Sequence, residues 1–447
     1  MIDTSNLMTE FDRLHREYGD VFCFVVGSNP IIVVNGSEAL RDLFIKEADS
    51  LSIRPATFIL SKIANWKGIV ASNGNLWKEQ RAFAHKTLKS FGFGKQNFES
   101  QIHQEVDIFL RCLGNSKGQP IDFVAPLKVC IANVISSMSM GKTYGLEDNR
   151  LMVIMEMIEW LFADASFRGI AAYIPFAKHI PGDPFHVKKR ENIIEDILNF
   201  LREVVEDHKK SFDEDKVHDY IDAFLKEQKK MEEDPESTFT DEQLIQSVRD
   251  FFVAGYESTV QTLRWIFLIL IHNPDVQIKM RNEIESRIGN SRKPSWSQKD
   301  QLPYCEAVIT ECLRYKGVGP TTLPHGVEYD VYWNGYRIPQ GAVVLANLRS
   351  VAYNSDTFPE PNKFDPGRFL DDEGNLKGQN LIMPFGIGRR ICLGEALARM
   401  ELFLFLTAVI QRFELLPEDN YDLPSLEGKL GTIYAPLPFK LRAISKK

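Results

Sequence analysis

Phe385-Gly386-Ile387-Gly388-Arg389-Arg390-Ile391-Cys392-Leu393-Gly394 sets a lone cysteine among glycines and arginines, directly before a strongly apolar stretch. Gly388 and Gly394 let backbone approach something flat and bulky, and they allow dihedrals that other residues resist. Gly394-Glu395-Ala396-Leu397 opens a helix, whose exposed N–H groups and positive end favour an anionic sulfur just ahead of it. Arg390, two residues before Cys392, is placed to pair with a carboxylate on whatever the sulfur binds. Read alone, the segment describes equally well a buried cysteine in a glycine-rich turn. Its company in the chain separates the two.

Working outward, Thr240-Asp241-Glu242-Gln243 has the form of a capping box, and a helical pattern runs from it to Asn273-Pro274. That is about 32 residues, or roughly 48 Å at 1.5 Å per residue, enough to cross a domain. Inside it lies Ala254-Gly255-Tyr256-Glu257-Ser258-Thr259, a glycine, an acid and two hydroxyls in an otherwise apolar helix. A mid-helix glycine costs about 1 kcal/mol against alanine, and such breaks of local rule concentrate at functional sites. A polar helix crossing is the plainer alternative. Glu311 and Arg314 stand at i and i+3 on one helical face, and Trp77 and Arg81 share a face at i and i+4.

The remaining periodicity gives a fold that is mainly α with a small β component. Asp20 to Val26 and Ile31 to Val34 read as strands around Gly27-Ser28-Asn29-Pro30. Ser37 to Leu313 is mostly helical. Strands follow at 331–333, 336–338 and 343–347 with a turn at Asn334-Gly335. A last helix spans Glu395 to Phe413, and a strand pair lies near Thr432 to Leu441. The 447 residues contain no Pro/Gly/Ser linker and no repeat, so residues 1–447 are expected to form one large domain. A net charge of −8 argues against nucleic-acid binding. Six scattered cysteines without a CxxC pair fit a reducing compartment and argue against zinc. Met1 to Asp20 is polar with five acidic residues, so it resembles neither a signal peptide nor a presequence. Elsewhere the longest purely apolar run, Trp265 to Ile271, is far too short for a membrane span.

The cysteine segment matches the haem-binding loop of the cytochrome P450 superfamily, Phe-x-x-Gly-x-Arg-x-Cys-x-Gly, at Phe385, Gly388, Arg390, Cys392 and Gly394. The resemblance extends from about Asp20 to the end of the chain. It is nearest to microsomal family-2-like enzymes in Trp77 to Arg81, Leu323-Pro324-His325 and Glu395 to Phe403. It implies a single P450-type domain carrying haem (heme b, iron protoporphyrin IX) with Cys392 as the axial thiolate on iron. Phe385 would belong to the cofactor loop, and Trp77, Arg81, His325 and Arg390 would hold the propionates. Glu257 and Ser258, with Thr259 adjacent, would handle protons on the open face. Ser258 replaces the usual threonine, and loses the methyl that restricts its rotamers. Glu311, Arg314 and Arg368 would form a lock behind the loop.

The implied activity is a haem-thiolate monooxygenase that inserts one atom of O2 into a lipophilic small molecule. The substrate walls would come from Pro55 to Ile69, Leu161 to Phe167, Phe251 to Glu257, Val318 to Leu323 and Ile433-Tyr434. Lys316 to Thr322 departs from the more apolar family-2 pattern. No dinucleotide fingerprint is present, so electrons would come from a separate donor. Five Lys/Arg against one Glu between Asn75 and Lys95 suit docking of an acidic flavoprotein. NADPH-cytochrome P450 reductase, and cytochrome b5 beside it, are the expected partners. The apolar anchor and proline-rich hinge of microsomal relatives are not seen. By resemblance the enzyme lies on the cytosolic face of the endoplasmic reticulum membrane through peripheral contact; a genuine lack of the anchor would make it cytoplasmic. Two rivals share the loop: an enzyme that rearranges peroxides, and a haem sensor without turnover.

Overall fold

A small sheet ties the start of the chain to its last third. In the computed structural model, which describes residues 7–27, 29–55, 65–92, 96–164, 179–419 and 422–446, β1 (Val21–Val26) pairs antiparallel with β2 (Asn29–Val34). β2 then runs parallel to β6 (Val343–Ala346), and β3 (His325–Gly326) lies along the other side of β6. The β-branched runs expected at the start of the chain therefore form a hairpin, and β2 begins two residues earlier than expected. A second hairpin joins β4 (Val331–Trp333) to β5 (Tyr336–Ile338). Its turn residues Asn334 and Gly335 have φ of 46° and 79°, the double positive φ that a two-residue turn matching strand twist requires.

Helices make up most of the rest: α1 (Leu7–Tyr18), α2 (Gly74–Ser90), α3 (Gln96–Asn115), α4 (Val124–Met140), α5 (Asn149–Ala163), α6 (Val187–Ser211), α7 (Tyr220–Lys230), α8 (Asp241–His272), α9 (Pro274–Arg287), α10 (Pro303–Tyr315) and α11 (Glu395–Arg412). The architecture is mainly α with small sheets, as the periodicity indicates. α1 was not anticipated. Its polar sequence hides a narrow apolar stripe, Phe11 and Leu14, which packs on Phe22 and Val33 of the sheet.

α8 and α11 form the centre of the core. α8 is buried along most of its 32 residues and crosses α4 where an added Cβ on Gly255 would lie 2.8 Å from Ile135 Cδ1. The expected capping box is only half formed. Thr240 Oγ1 accepts from Gln243 N at 3.2 Å, but the Gln243 side chain bonds Gly68 N and O instead of returning to the cap. Pro274 ends α8 and starts α9, where its missing N–H costs nothing.

The C-terminal segment differs from expectation. α11 stops at Arg412, and Phe413 opens β7 (Phe413–Pro417), which pairs with β10 (Leu441–Ser445). β8 (Gly428–Leu430) pairs separately with β9 (Tyr434–Pro436). The apolar residues of Phe413-Glu414-Leu415 continue the helical count by chance, while their burial alternates as in a strand. Among the described residues, no helix is long and apolar enough to cross a membrane.

Candidate active site

The cysteine loop is held by backbone geometry. Gly386 and Gly388 adopt φ of 85° and 77°, and an added Cβ on Gly388 would sit 2.6 Å from the carbonyl oxygen of Phe44. Only glycine fits that approach. The turn closes when Cys392 N donates to Phe385 O at 2.9 Å. Cys392 is a free thiol, uncovered although surrounded by protein. Burial pushes the thiol up, against the lowering effect of Gly394 N–H and Arg81. The helix start favours the anionic sulfur through Gly394 N–H, as expected, but burial outweighs it. A cation at the sulfur is what would hold it as thiolate. The Phe385 ring lies 4.9 Å from the Arg399 guanidinium, which Glu395 holds at 2.9 Å.

Beside the loop lies a cluster of buried cations. Arg390 spreads its donors over Ser52 O, Ile69 O, Ser72 O and Asn73 Oδ1, and its guanidinium covers the Trp77 ring at 3.9 Å. Arg81 donates to Ile391 O at 2.5 Å. Arg54, 6% exposed, bonds the carbonyls of Val70, Leu323 and Pro324. Among the described residues, none of the hydrogen bonds made by these three arginines goes to a carboxylate. The cost is visible in their ionisation: burial, with mutual repulsion, pushes Arg390 down to about 8 and Arg54 down to about 10. His325, whose Nδ1 faces Leu51 O at 2.6 Å, is pushed down to about 3 by burial and by Arg54. Among the described residues, the buried Trp77 indole N–H has no partner. Three cations and an orphan N–H beside an open sulfur form a donor set for a planar group bearing carboxylates, while the one N–H of neutral His325 is taken by Leu51 O.

On α8, Glu257 is 3% exposed. Its Oε1 accepts from Gln261 Nε2 at 2.6 Å, while Oε2 has no partner among the described residues. Burial pushes its carboxyl up to about 7; Glu159 adds to this, while Gln261, Lys128 and Arg264 oppose it. Ser258 is partly exposed and donates to Ala254 O at 2.8 Å. Thr259 does not join them. Its hydroxyl points into the core and meets Glu401 of α11 at 3.2 Å. That bond commits the Thr259 hydroxyl to the contact between α8 and α11.

A cytochrome P450 family model matches residues 1–443. The chain belongs to the cytochrome P450 family. Similar relatives are cytochrome P450 2C29 of Mus musculus, 36% identical over 423 residues (93% of this chain and 84% of the relative), and cytochrome P450 2C8 of Homo sapiens, 37% identical over 420 residues (94% and 86%). Cytochrome P450 2C20 of Macaca fascicularis is 36% identical over 442 residues (98% and 90%). As a cytochrome P450, the protein is a haem-thiolate monooxygenase acting on lipophilic substrates, with haem b as its cofactor and electrons from a redox partner. The donor set described above suits the two propionates of that cofactor.

Behind the P450 loop, Arg314 makes two bonds to Glu311, at 2.6 and 2.8 Å, both side chains fully buried. Arg368 approaches Glu311 at 3.6 Å, and Asp365 N donates to it at 2.9 Å. Arg54 was missed by sequence reasoning. A single arginine before Pro55, in a mostly apolar stretch, was the available signal. Of the expected walls, 56–64 and 165–167 lie outside the described residues. Three of the others meet through backbone: Thr432 N, beside Ile433, donates to Phe162 O at 2.6 Å and Tyr434 N to Val318 O at 2.7 Å. An added Cβ on Gly431 would lie 2.0 Å from Phe162 O, so glycine alone permits that junction.

Proposed function

We propose that Cys392 is the axial ligand of the haem iron and that Trp77, Arg81, His325 and Arg390, together with Arg54, hold the propionates. Glu257 and Ser258 are assigned to proton handling on the open face, and Phe385 to the cofactor loop. Thr259 is assigned a structural role with Glu401 in place of a catalytic one. The observation that carries this reading is the cation cluster next to Cys392, which among the described residues makes no hydrogen bond to a carboxylate and surrounds a Trp77 N–H without a partner.

Bound haem supplies the oxygen chemistry, one atom of O2 entering the substrate and the other leaving as water. The protein's part is placement and charge. Arg54, Arg81 and Arg390 offset the cofactor's two negative charges, and each propionate counters the burial, and at Arg54 and Arg390 the repulsion, that lowers their basicity. Trp77 adds one directed donor. Glu257, half ionised near pH 7, can both give and take a proton under working conditions. The Ser258 hydroxyl, anchored to Ala254 O, keeps its lone pairs free to accept.

The electron donor is assigned as NADPH-cytochrome P450 reductase, with cytochrome b5 as a second partner. In support, Lys78, Lys86 and Lys89 are exposed on α2, and among the described residues no acid pairs with them; Lys95 lies outside the described residues. Residues 1–447 are read as one catalytic domain, seated at the cytosolic face of the endoplasmic reticulum membrane.

The deciding experiment is the reduced, carbon-monoxide-bound difference spectrum of the wild type and Cys392→Ala. The wild type is expected to show the strongly red-shifted Soret band of thiolate ligation, and the variant to lose it. A variant that keeps the band removes Cys392 as the ligand.

A further inference from the structure

Glu257, Gln261 and Arg264 stand four and three residues apart on one face of α8, and are 3%, 4% and 8% exposed. They are joined head to tail. Arg264 Nη1 donates to Gln261 Oε1 at 2.7 Å, and Gln261 Nε2 donates to Glu257 Oε1 at 2.6 Å. Arg264 also bonds the carbonyls of Pro436 and Leu437 at 3.3 and 3.4 Å. The middle amide can stand only one way round. Arginine has donors and no acceptor, so the amide oxygen must face it and the NH2 must face the carboxylate. A buried amide costs free energy unless both ends are used, and an apolar residue would fill the same buried space without that cost.

We infer that Gln261 and Arg264 are positioning residues for Glu257, holding one carboxylate oxygen and favouring its charged form so that Oε2 is left as the oxygen that exchanges a proton. This rests on the proposed role of Glu257. The ladder is not a proton wire, because the Gln261 amide that links its two ends does not ionise at working pH. It acts by direction and charge.

The other groups facing Glu257 do not replace it. Lys128 of α4 attracts and Glu159 of α5 repels, and the two are paired with each other. The Tyr256 phenol is turned to Glu159 at 3.2 Å. The pair therefore largely cancels, leaving burial and the Gln261 bond as the two leading influences on the acid, in that order.

The test is an infrared titration of the haem-loaded enzyme that follows the carboxyl C=O band lost in Glu257→Gln, with the pH profile of turnover measured beside it. In Gln261→Leu the band's midpoint is expected to rise by about one to two pH units, the loss of a hydrogen bond to a charged group. The alkaline limb of turnover should follow it upward. Arg264→Lys, which keeps the cation but loses the fork, should move both in the same direction by less. Unmoved midpoints in the two variants would overturn the inference, and Arg264→Lys alone decides if Gln261→Leu fails to accumulate. If Glu257→Gln changes neither the infrared titration nor the turnover profile, the assignment of Glu257 as the acid falls, and the positioning with it.

Discussion

Glu257 and Glu311 are both carboxylates buried in helices, yet their surroundings are opposite. Glu311 is saturated: Arg314 takes both oxygens, Asp365 N adds a third bond, and Arg368 stands close by. Glu257 has one neutral partner and an oxygen left bare. Burial pushes both carboxyls up. At Glu311 a bidentate guanidinium opposes that push directly, whereas at Glu257 the nearest cation acts through an amide. A fully paired buried acid has no proton to exchange and serves as a fastener. A half-satisfied one in the same protein is kept at some cost in stability, and that cost is the mark of a working group.

The comparison can be broken most forcefully at the fastener. Arg314→Met strands Glu311 in the core and should remove about 3–5 kcal/mol of stability, read as loss of haem-loaded protein and an earlier urea midpoint. A variant as stable as the wild type would show that the pair is not a lock. Glu257→Gln should leave folding and haem loading intact while slowing turnover about a hundredfold, the lower range for a positioned acid or base. It should also flatten the pH dependence of stability. Folded Glu257 keeps its proton up to about 7 against an ordinary value of 4.5, so its contribution is fully present below 4.5 and is lost as pH rises through 7. Thermal midpoints across that window, alike in mutant and wild type, would contradict the assignment. The smallest effect is expected from Ser258→Thr. Restoring the methyl should narrow the hydroxyl's rotamers and cut peroxide released per NADPH by about threefold; an increase would mean that Ser258 is already the better-placed hydroxyl.

Much of this was legible beforehand, for identifiable reasons. The cysteine loop and α8 were readable because glycine geometry, capping and long periodicity are local. The partners of the acids were not, because they arrive from elsewhere: Gln261 was ordinary helix polarity until its amide proved to be buried, and Arg54 reaches its carbonyls 16 and about 270 residues away in sequence. The partner of the Thr259 hydroxyl, Glu401, lies 142 residues further along the chain, where no local pattern points to it. The boundary at Arg412 was overrun because a period of 3.6 and a period of 2 coincide over three residues.

The pairing of β2 with β6 has a consequence in time. Residues 31–34 find their partners at 343–346, and the sulfur lies further on at Cys392. For a chain emerging from the ribosome, closing a loop of about three hundred residues comes late. The cation cluster draws Arg54 and Arg81 from the first part of the chain and Arg390 from the last. Its mutual repulsion therefore first arises near the end of synthesis, and the cofactor that relieves it would be a participant in the final stage of assembly, well before it meets oxygen.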